Sequence, residues 1–593
     1  MRRKNKRFIR KTAVAVAAVL TLQLTACKNS ETETTTAQTE RTEAETASPS
    51  QAGENRQTPE RPGGAENGGP GSGTNENGAP RGPGGGMQGR PEGAGGSQSV
   101  EEPEGSGLAA DYDTDDLETA WNEQESTIIT CSQTEAESSG SGAQVSAGEI
   151  RITQAGTYVI RGSFEGQIVI DAGKEDVIHL VLDGANISNT DSSAVYGVQS
   201  GKIVLTLAEG TKNLISDGAE YIFSSQDEDE PDAAIFTEDS LTINGTGELA
   251  VTGNYSNGIR AKDDLKIISG AIQVTAQKDG IKGKDSVTIK DGEIRVQAGE
   301  DGIQASNDTD ADKGYVIIEG GTIEIQAADD GIHAETWLTI HGGTVSVEES
   351  NEGLEGLKID INGGNIQVTA SDDAVNAAGG TAQSEMDKMQ VNEEAYVRIS
   401  GGTISLDASA DGIDSNGHLF IKGGEIYISG PVADGEGALD YNGTALISGG
   451  TFAAASSAGM LQTFSQASEQ PMLMVYYDET QAGSTSVQLV DDKGEKLLEF
   501  SPAKEFACVL ISLPGLEEGD ELELRTGDEI RNITVSGTIT QEGERSGGRG
   551  PGGGPGGGNP RSGPGGGGFG RGREPGGGHP EQNLPEEAAE SAA

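Results

Sequence analysis

Between residues 257 and 455 a unit of about twenty-two residues recurs with the same punctuation, and a period of that length leaves few folds open. Such a unit is too small to bury a core of its own and must stack on its neighbours. One copy opens at Asp279-Gly280-Ile281, continues through Val287-Thr288-Ile289, and closes at Asp291-Gly292-Glu293-Ile294-Arg295-Val296 before Asp301-Gly302-Ile303 opens the next. The closing turn, Ile-x-x-Gly-x-Ile or a near variant, sets its glycine at Gly270, Gly292, Gly321, Gly343, Gly364, Gly402, Gly424 and Gly450, at intervals of 22, 29, 22, 21, 38, 22 and 26 residues. The longer intervals read as loop insertions, notably at residues 307–313 and 377–394, because the turns on either side survive intact.

Within a unit the apolar residues alternate. Val287 and Ile289 face one way and Thr288 the other; Ile294, Val296 and Ala298 face one way and Arg295 and Gln297 the other. Three short strands, each with one apolar face and joined by glycine corners, predict the coil of a parallel β-helix, since a sandwich hairpin does not restore the same corner every turn. The expected fold class is all-β: a right-handed parallel β-helix over residues 145–455, with about eleven or twelve coils stacked about 4.8 Å apart. Past Phe452 the repeat stops, and hairpin-like strands over residues 456–540 predict a small C-terminal β unit covering the open edge. Ahead of the array, residues 111–144 carry a helix-start signal at Asp113-Thr114-Asp115-Asp116 followed by Trp121, and are expected to cap the first coil.

The flanks are of another kind. Much of the chain's 91 Gly and 20 Pro lies in residues 27–110 and 541–593, which have too little apolar surface to offset the entropy of ordering and read as a disordered tether and tail. Residues 1–26 form a leader with Arg2, Arg3, Lys4, Lys6, Arg7, Arg10 and Lys11 ahead of an apolar run at 13–24 that is too short to span a bilayer. The run ends in Leu24-Thr25-Ala26-Cys27, which resembles the lipobox of bacterial lipoproteins. That resemblance implies cleavage before Cys27, lipidation of Cys27, and residence on the extracellular face of the bacterial cell membrane; an ordinary secretory signal with an incidental cysteine is the alternative. Cys131 and Cys508 are no disulfide framework, and their apolar surroundings in sequence predict buried, inert thiols.

Forty-one Lys and Arg against 96 Asp and Glu give a formal charge of −55, which excludes nucleic acid as a partner. Stacking turns each repeat position into a column. The residue before the opening glycine is Asn257, Asp279, Asp301, Asp330, Glu352, Asp373, Asp411 and Glu436, with Asp373 preceding Ala374 instead of Gly; all but the first are carboxylates. Neighbouring charges at this spacing repel by about 1 kcal/mol in water and by about 3–4 kcal/mol at an effective dielectric of 20. Turn chemistry and solvent can relieve that repulsion, the carboxylates accepting backbone N–H groups. So can calcium, a hard cation held by carboxylate and carbonyl oxygens, with Glu300, Asp329, Asp372, Asp414 and Asp440 standing beside the column. A second candidate is the inserted loop Asp308-Thr309-Asp310-Ala311-Asp312-Lys313-Gly314, whose alternating acids resemble a calcium loop but carry Lys313 where an EF-hand needs Gly; a solvated acidic loop is the other reading.

An outward row runs beside the column: Arg260, Lys282, Gln304, His333, Glu355, Asn376 and Asp414. Its basic early end next to acids suits an anionic sugar, with Arg, Lys and calcium sharing its carboxylates; charge pairing on a solvated surface is the plainer account. Trp337 and Tyr427 should face outward and can stack on a sugar ring. Asn189-Thr190-Asp191 is similar to one polygalacturonase element, but its usual companions do not follow. No Ser/His/Asp set, phosphate loop or zinc spacing is found.

Taken together, the lipobox, Asp115 to Trp121, the Asp-Gly-Ile coils with their Ile-x-Gly-Gly-x-Ile turns and the terminal β unit resemble the carbohydrate-binding β-helix family of clostridia over about residues 111–540. That resemblance implies a pectate-lyase-like fold, association with calcium, and binding of cellulose and polygalacturonate-like acidic glycans. The expected function is therefore a lipid-anchored, noncatalytic binder of acidic or plant-wall polysaccharide. Its ligand residues would be Arg260, Lys282, His333 and Trp337. Its calcium ligands would come from Asp279, Asp301, Asp329, Asp330, Asp372, Asp373, Asp411 and Asp414, or from Asp308, Asp310 and Asp312. Two alternatives stand: a calcium-dependent lyase with Lys282 as its base, and a passive surface stalk or adhesin.

Overall fold

The computed structural model describes residues 102–103, 105–225, 227–379 and 390–545; the leader, Cys27 and most of both low-complexity tracts fall outside them. The chain winds a parallel β-helix of about twelve turns. Each coil contributes three strands, as in Ile281–Gly283, Ser286–Ile289 and Glu293–Gln297, and each strand pairs in parallel with the equivalent strand of the coils before and after. Register is strict where the repeat is strict: Ile259, Ile281, Ile303 and Ile332 face one another in turn on the first sheet. These residues and their counterparts on the other two sheets are fully buried in one continuous core, each isoleucine contributing about 1.5–3 kcal/mol.

Two glycine columns explain why the punctuation recurs. All eight closing-turn glycines, from Gly270 to Gly450, have φ between +83° and +132°, which side chains resist. The opening glycines serve a close approach instead: a Cβ on Gly280 would stand 2.2 Å from Val296 Cγ1 and 2.7 Å from the Gly302 carbonyl.

The second sheet is covered on both sides. Its outward residues Thr288, Ile317, Thr339, Asp360 and Arg398 are as buried as its inward ones. Residues 102–121 form a strap along this face. Lys422 pairs with Glu102, Arg398 donates to the Pro103 carbonyl, Asn362 to the Ser106 carbonyl and Thr339 Oγ1 accepts the Leu108 amide. Further along, Tyr112 donates to Glu319, and the single helical turn Thr114–Leu117 brings Asp116 under Lys202, Thr242 and Lys266. Trp121 ends the strap against Val159 and Val181. Of residues 111–144, expected to cap the first coil, the part up to Trp121 therefore lies along the side of the stack, and the part from Thr127 on stands at its end. The polar residues of the strap find partners on the outward row of the second sheet, and the end position is taken by Thr127–Gln133, Glu135–Ser138 and Ala143–Ser146.

At the other end, Phe506–Ser512 pairs antiparallel with Thr451–Ser456 of the last coil and so occupies the open edge of the third sheet. Val487–Asp491, Lys496–Phe500, Glu521–Thr526 and Glu529–Thr534 form a separate four-stranded sheet over a second core that includes Ala453, Ala455 and Leu473. Cys131 and Cys508 are both buried and unbridged, and burial raises both thiols, Cys131 to about 11.

Candidate functional site

The corner between the third strand of one coil and the first strand of the next carries the carboxylate column. Register places Asn257, Asp279, Asp301, Asp330, Glu352, Asp373 and Asp411 at the same point of successive coils. One expected member is displaced: Ile413 pairs with Leu439, so Gly437 and not Glu436 follows Asp411, the insertion before it having shifted the sequence by one.

The column is a hydrogen-bonded ladder. Asn257 Oδ1 accepts the Asp279 amide at 3.2 Å, Asp279 Oδ1 the Asp301 amide at 3.3 Å, and Asp301 Oδ1 the Asp330 amide at 3.0 Å. Beyond Glu352, Asp373 Oδ1 accepts the Asp411 amide at 2.7 Å and Asp411 Oδ1 the Gly437 amide at 2.6 Å. The second oxygen turns toward the outward row three residues on. Lys282 Nζ lies 2.6 Å from Asp279 Oδ2, and Gln304 Nε2 donates to Asp301 Oδ2. His333 Nδ1 stands 2.8 Å from Asp330 Oδ2 and 2.7 Å from Glu355 Oε2, and Asn376 Nδ2 donates to Glu352 Oε2 at 2.8 Å. Arg260 is held by Asp232 and, at 2.9 Å, by Glu230.

The basic residues expected to meet a ligand thus already neutralise the protein's own acids. Burial would lower the His333 imidazole, but Asp330, Glu335 and Glu355 overturn that and raise it to about 12, so it is a fixed cation between two coils. Past His333 the row has no such counterion. Burial pushes Asp301 up to about 6, opposed by the Asp330 amide and reinforced by the Asp330 charge. It pushes Asp373 to about 8, with Asp411 and Asp414 adding to it, and Asp411 and Asp414 to about 7, with Asp440 adding to both. Asp329, Asp330 and Glu352 are raised by burial as well.

Among the described residues, one ligand atom from each of Asp330, Glu352 and Glu355 lies within 4.8 Å of the other two, and so does one from each of Asp301, Asp330 and His333. The protonated imidazole has no lone pair to offer in the second group, and it also stands against Asp330 and Glu355 of the first. Beside the first, Asn376 is buried and its Oδ1 has no hydrogen-bond donor, its nitrogen being engaged by Glu352; Gln304 Oε1 is orphaned in the same way. A buried carbonyl oxygen among carboxylates fits a hard cation with oxygen ligands.

The remaining candidates separate from this cluster. Asp329 and Asp372 are exposed on its rim. Asp308, Asp310 and Asp312 are exposed in a loop between first and second strands, where Asn307 Oδ1 organises the turn and Lys313 pairs with Asp285. Trp337 belongs to the second sheet, with the Lys358 ammonium 3.9 Å over its ring, and Tyr427 packs against Phe500 of the C-terminal unit. The repeat pointed to the ladder, but the orphaned oxygen of Asn376 and the ring cluster of Tyr221, Phe223 and Tyr255 escaped it, the latter because two of its residues lie in an insertion.

A family profile described as "Carbohydrate-binding domain-containing protein" matches residues 146–387 and 339–457. A carbohydrate-binding domain-containing protein of Acetivibrio thermocellus is 43% identical over 136 residues, which are 23% of this chain and 48% of that protein; the chain spans about half the length of this curated relative. A solved structure, that of "the polysaccharide lyase-like protein from C. thermocellum" as a gadolinium derivative, is 40% identical with a TM-score of 0.37, covering 38% of this chain and 91% of that chain.

Proposed function

Since the chain belongs to the family of carbohydrate-binding domain-containing proteins, we propose that its first-sheet face binds an acidic polysaccharide with the help of calcium, on a protein anchored outside the bacterial membrane through Cys27. The observation that carries this reading is the surplus of buried oxygen at the acidic end of the row: Asp330, Glu352 and Glu355 converge, and the donorless Asn376 Oδ1 adjoins them. These residues would hold the cation, and Asp373, Asp411 and Asp414 form a second group with the same excess of charge. Bound calcium would supply positive charge shared between the ladder and a uronate carboxylate. The protein's part is to fix the oxygens on rigid strands one coil apart and to keep Lys282 and His333 as internal counterions.

Calorimetric titration with calcium and affinity electrophoresis through polygalacturonate test this. Calcium binding weakened about tenfold or more in Glu352→Gln is expected, together with retardation in the gel that disappears on adding EGTA. Retardation that ignores EGTA, or no retardation at all, removes the reading.

A further inference from the structure

The first-sheet face changes character at its amino-proximal end. Register aligns Tyr196 with Phe236 and Phe236 with Arg260, so the outward row passes through aromatic residues before it turns basic and then acidic. Residues 217–225 and 227–232 lie in a long excursion between Lys212–Ser216 and Ala233–Thr237 and carry further rings to the corner where the ladder begins. Tyr221 and Tyr255 stack with centroids 4.1 Å apart and planes 16° apart, and Phe223 closes on both at 6.0 and 6.2 Å. All three are half-buried, and Ile222 between Tyr221 and Phe223 is 76% exposed. Tyr255 stands two residues before Asn257, so the rings continue the ladder's own corner.

The cluster is held in place independently of any ligand. Tyr221 donates to Asp217 Oδ2 at 2.7 Å and lies 3.1 Å from the Ala233 carbonyl. Its surroundings select against a negative partner. Arg260 is occupied by Asp232 and Glu230, Lys262 by Glu230 and Glu238, while Asp227, Glu228 and Asp229 stand exposed nearby in sequence. Lys278, whose amide meets the Ser256 carbonyl beside Tyr255, is engaged by Glu300 at 3.2 Å, so a uronate competes there with acids already in place, whereas the hydroxyls of a neutral sugar find acceptors.

We propose that Tyr221, Ile222, Phe223 and Tyr255 form a stacking platform for a neutral, equatorially linked pyranose chain. Such rings present flat C–H faces that match an aromatic surface, and flanking carboxylates fix their hydroxyls. The proposal rests on the reading that this chain binds carbohydrate, and it assigns the neutral part of that binding to a place distinct from the carboxylate ladder.

Full-length protein and its Tyr255→Ala, Phe223→Ala and Tyr255→Phe variants are titrated with cellohexaose and, in calcium, with polygalacturonate, after circular dichroism has shown each folded. Tyr255→Ala and Phe223→Ala are expected to weaken cellohexaose about tenfold, Tyr255→Phe to restore it, and polygalacturonate binding to stay within twofold throughout. A wild-type protein that binds polygalacturonate but not cellohexaose overturns the platform and leaves the acidic-glycan reading standing; binding of neither overturns both. Equal loss of both ligands in Tyr255→Ala, or cellohexaose affinity untouched in both alanine variants, also overturns the platform.

Discussion

Asp279, Asp301, Asp373 and Asp411 each hold the amide of the next coil with Oδ1, and burial, more than any one neighbour, sets where the raised carboxyls titrate. Lys282 faces Asp279 and His333 faces Asp330; beside Asp373, Asp411 and Asp414 stand further carboxylates instead, and burial with that added charge raises their folded pKa values to about 8, 7 and 7. A carboxyl raised on folding stabilises the fold fully below its unfolded pKa of about 3.9 and loses that contribution as pH rises through the folded value. In EGTA, the melting temperature should therefore fall by several degrees between pH 5 and pH 8.5, and calcium should reverse the slope, because metal ligands must be deprotonated. Calorimetric scans at four pH values with and without calcium check both signs, and a flat metal-free profile would contradict them. Asp116 is the opposite case: burial works against its charge, but Lys202, Thr242 and Lys266 hold it down to about 2. Asp116→Ala takes away the carboxylate paired with Lys266 and leaves Lys202 to Asp113, and should cost about 3 kcal/mol in denaturant unfolding. The ladder was legible in the sequence because a column repeats, and charge pairing along the row beside it was legible as the plainer of two accounts; Lys282 and His333 pair three residues back with Asp279 and Asp330, whereas the partners Asp232 of Arg260 and Glu355 of His333 are fixed only once the coils are in register.

At the scale of the strand and corner, repetition made nearly everything readable. The alternation at Glu293–Gln297 becomes a buried pair of Ile294 and Val296 between exposed neighbours, as its period requires. The closing glycine was readable as a corner, and the structure adds why: at Gly343, with φ +90°, a Cβ would lie 2.8–3.0 Å from the backbone of Gly320 and Gly321 one coil back. Gly343→Ala should cost about 2 kcal/mol, read as a shifted urea midpoint, while Gly494→Ala, at a hairpin with open space around it and the same φ sign, isolates the backbone share of that cost. Two elements resisted reading. The insertion at residues 430–438 hid a one-residue offset, so Glu436 was assigned where Gly437 stands. The strap has no period at all: its contacts reach as far as from Glu102 to Lys422, and local pattern carries no trace of them. The outward row of the second sheet did hold a faint signal, since Thr288, Ile317 and Thr339 are less polar than a solvated face needs.

For the whole molecule, the strap matters because it touches coils far apart in the stack, from Lys422 back to Lys202. Removing residues 102–121 should lower the melting temperature and speed amide exchange across the second sheet, from Thr242 to Arg398, while leaving the first-sheet ladder as protected as before. Hydrogen exchange resolved by mass spectrometry reads both regions in one experiment, and uniform deprotection would show that the strap holds no particular face. Cys27, outside the described residues, belongs to the same scale: under the proposed anchoring, Cys27→Ala should move the protein from the detergent phase to the aqueous phase in phase partitioning. The direction of the strap has a mechanical consequence. The chain arrives at the coil of Lys422 and travels against the order of the coils before it turns into the first of them at Thr127–Gln133. A pull on the chain ahead of residue 102, directed along the stack, is therefore borne in shear by the ion pairs of Glu102 and Asp116 and by the backbone contacts of Pro103, Ser106 and Leu108 together. A pull directed away from the sheet strips those contacts singly, starting at Glu102, so the same protein is mechanically strong along one axis and weak across it.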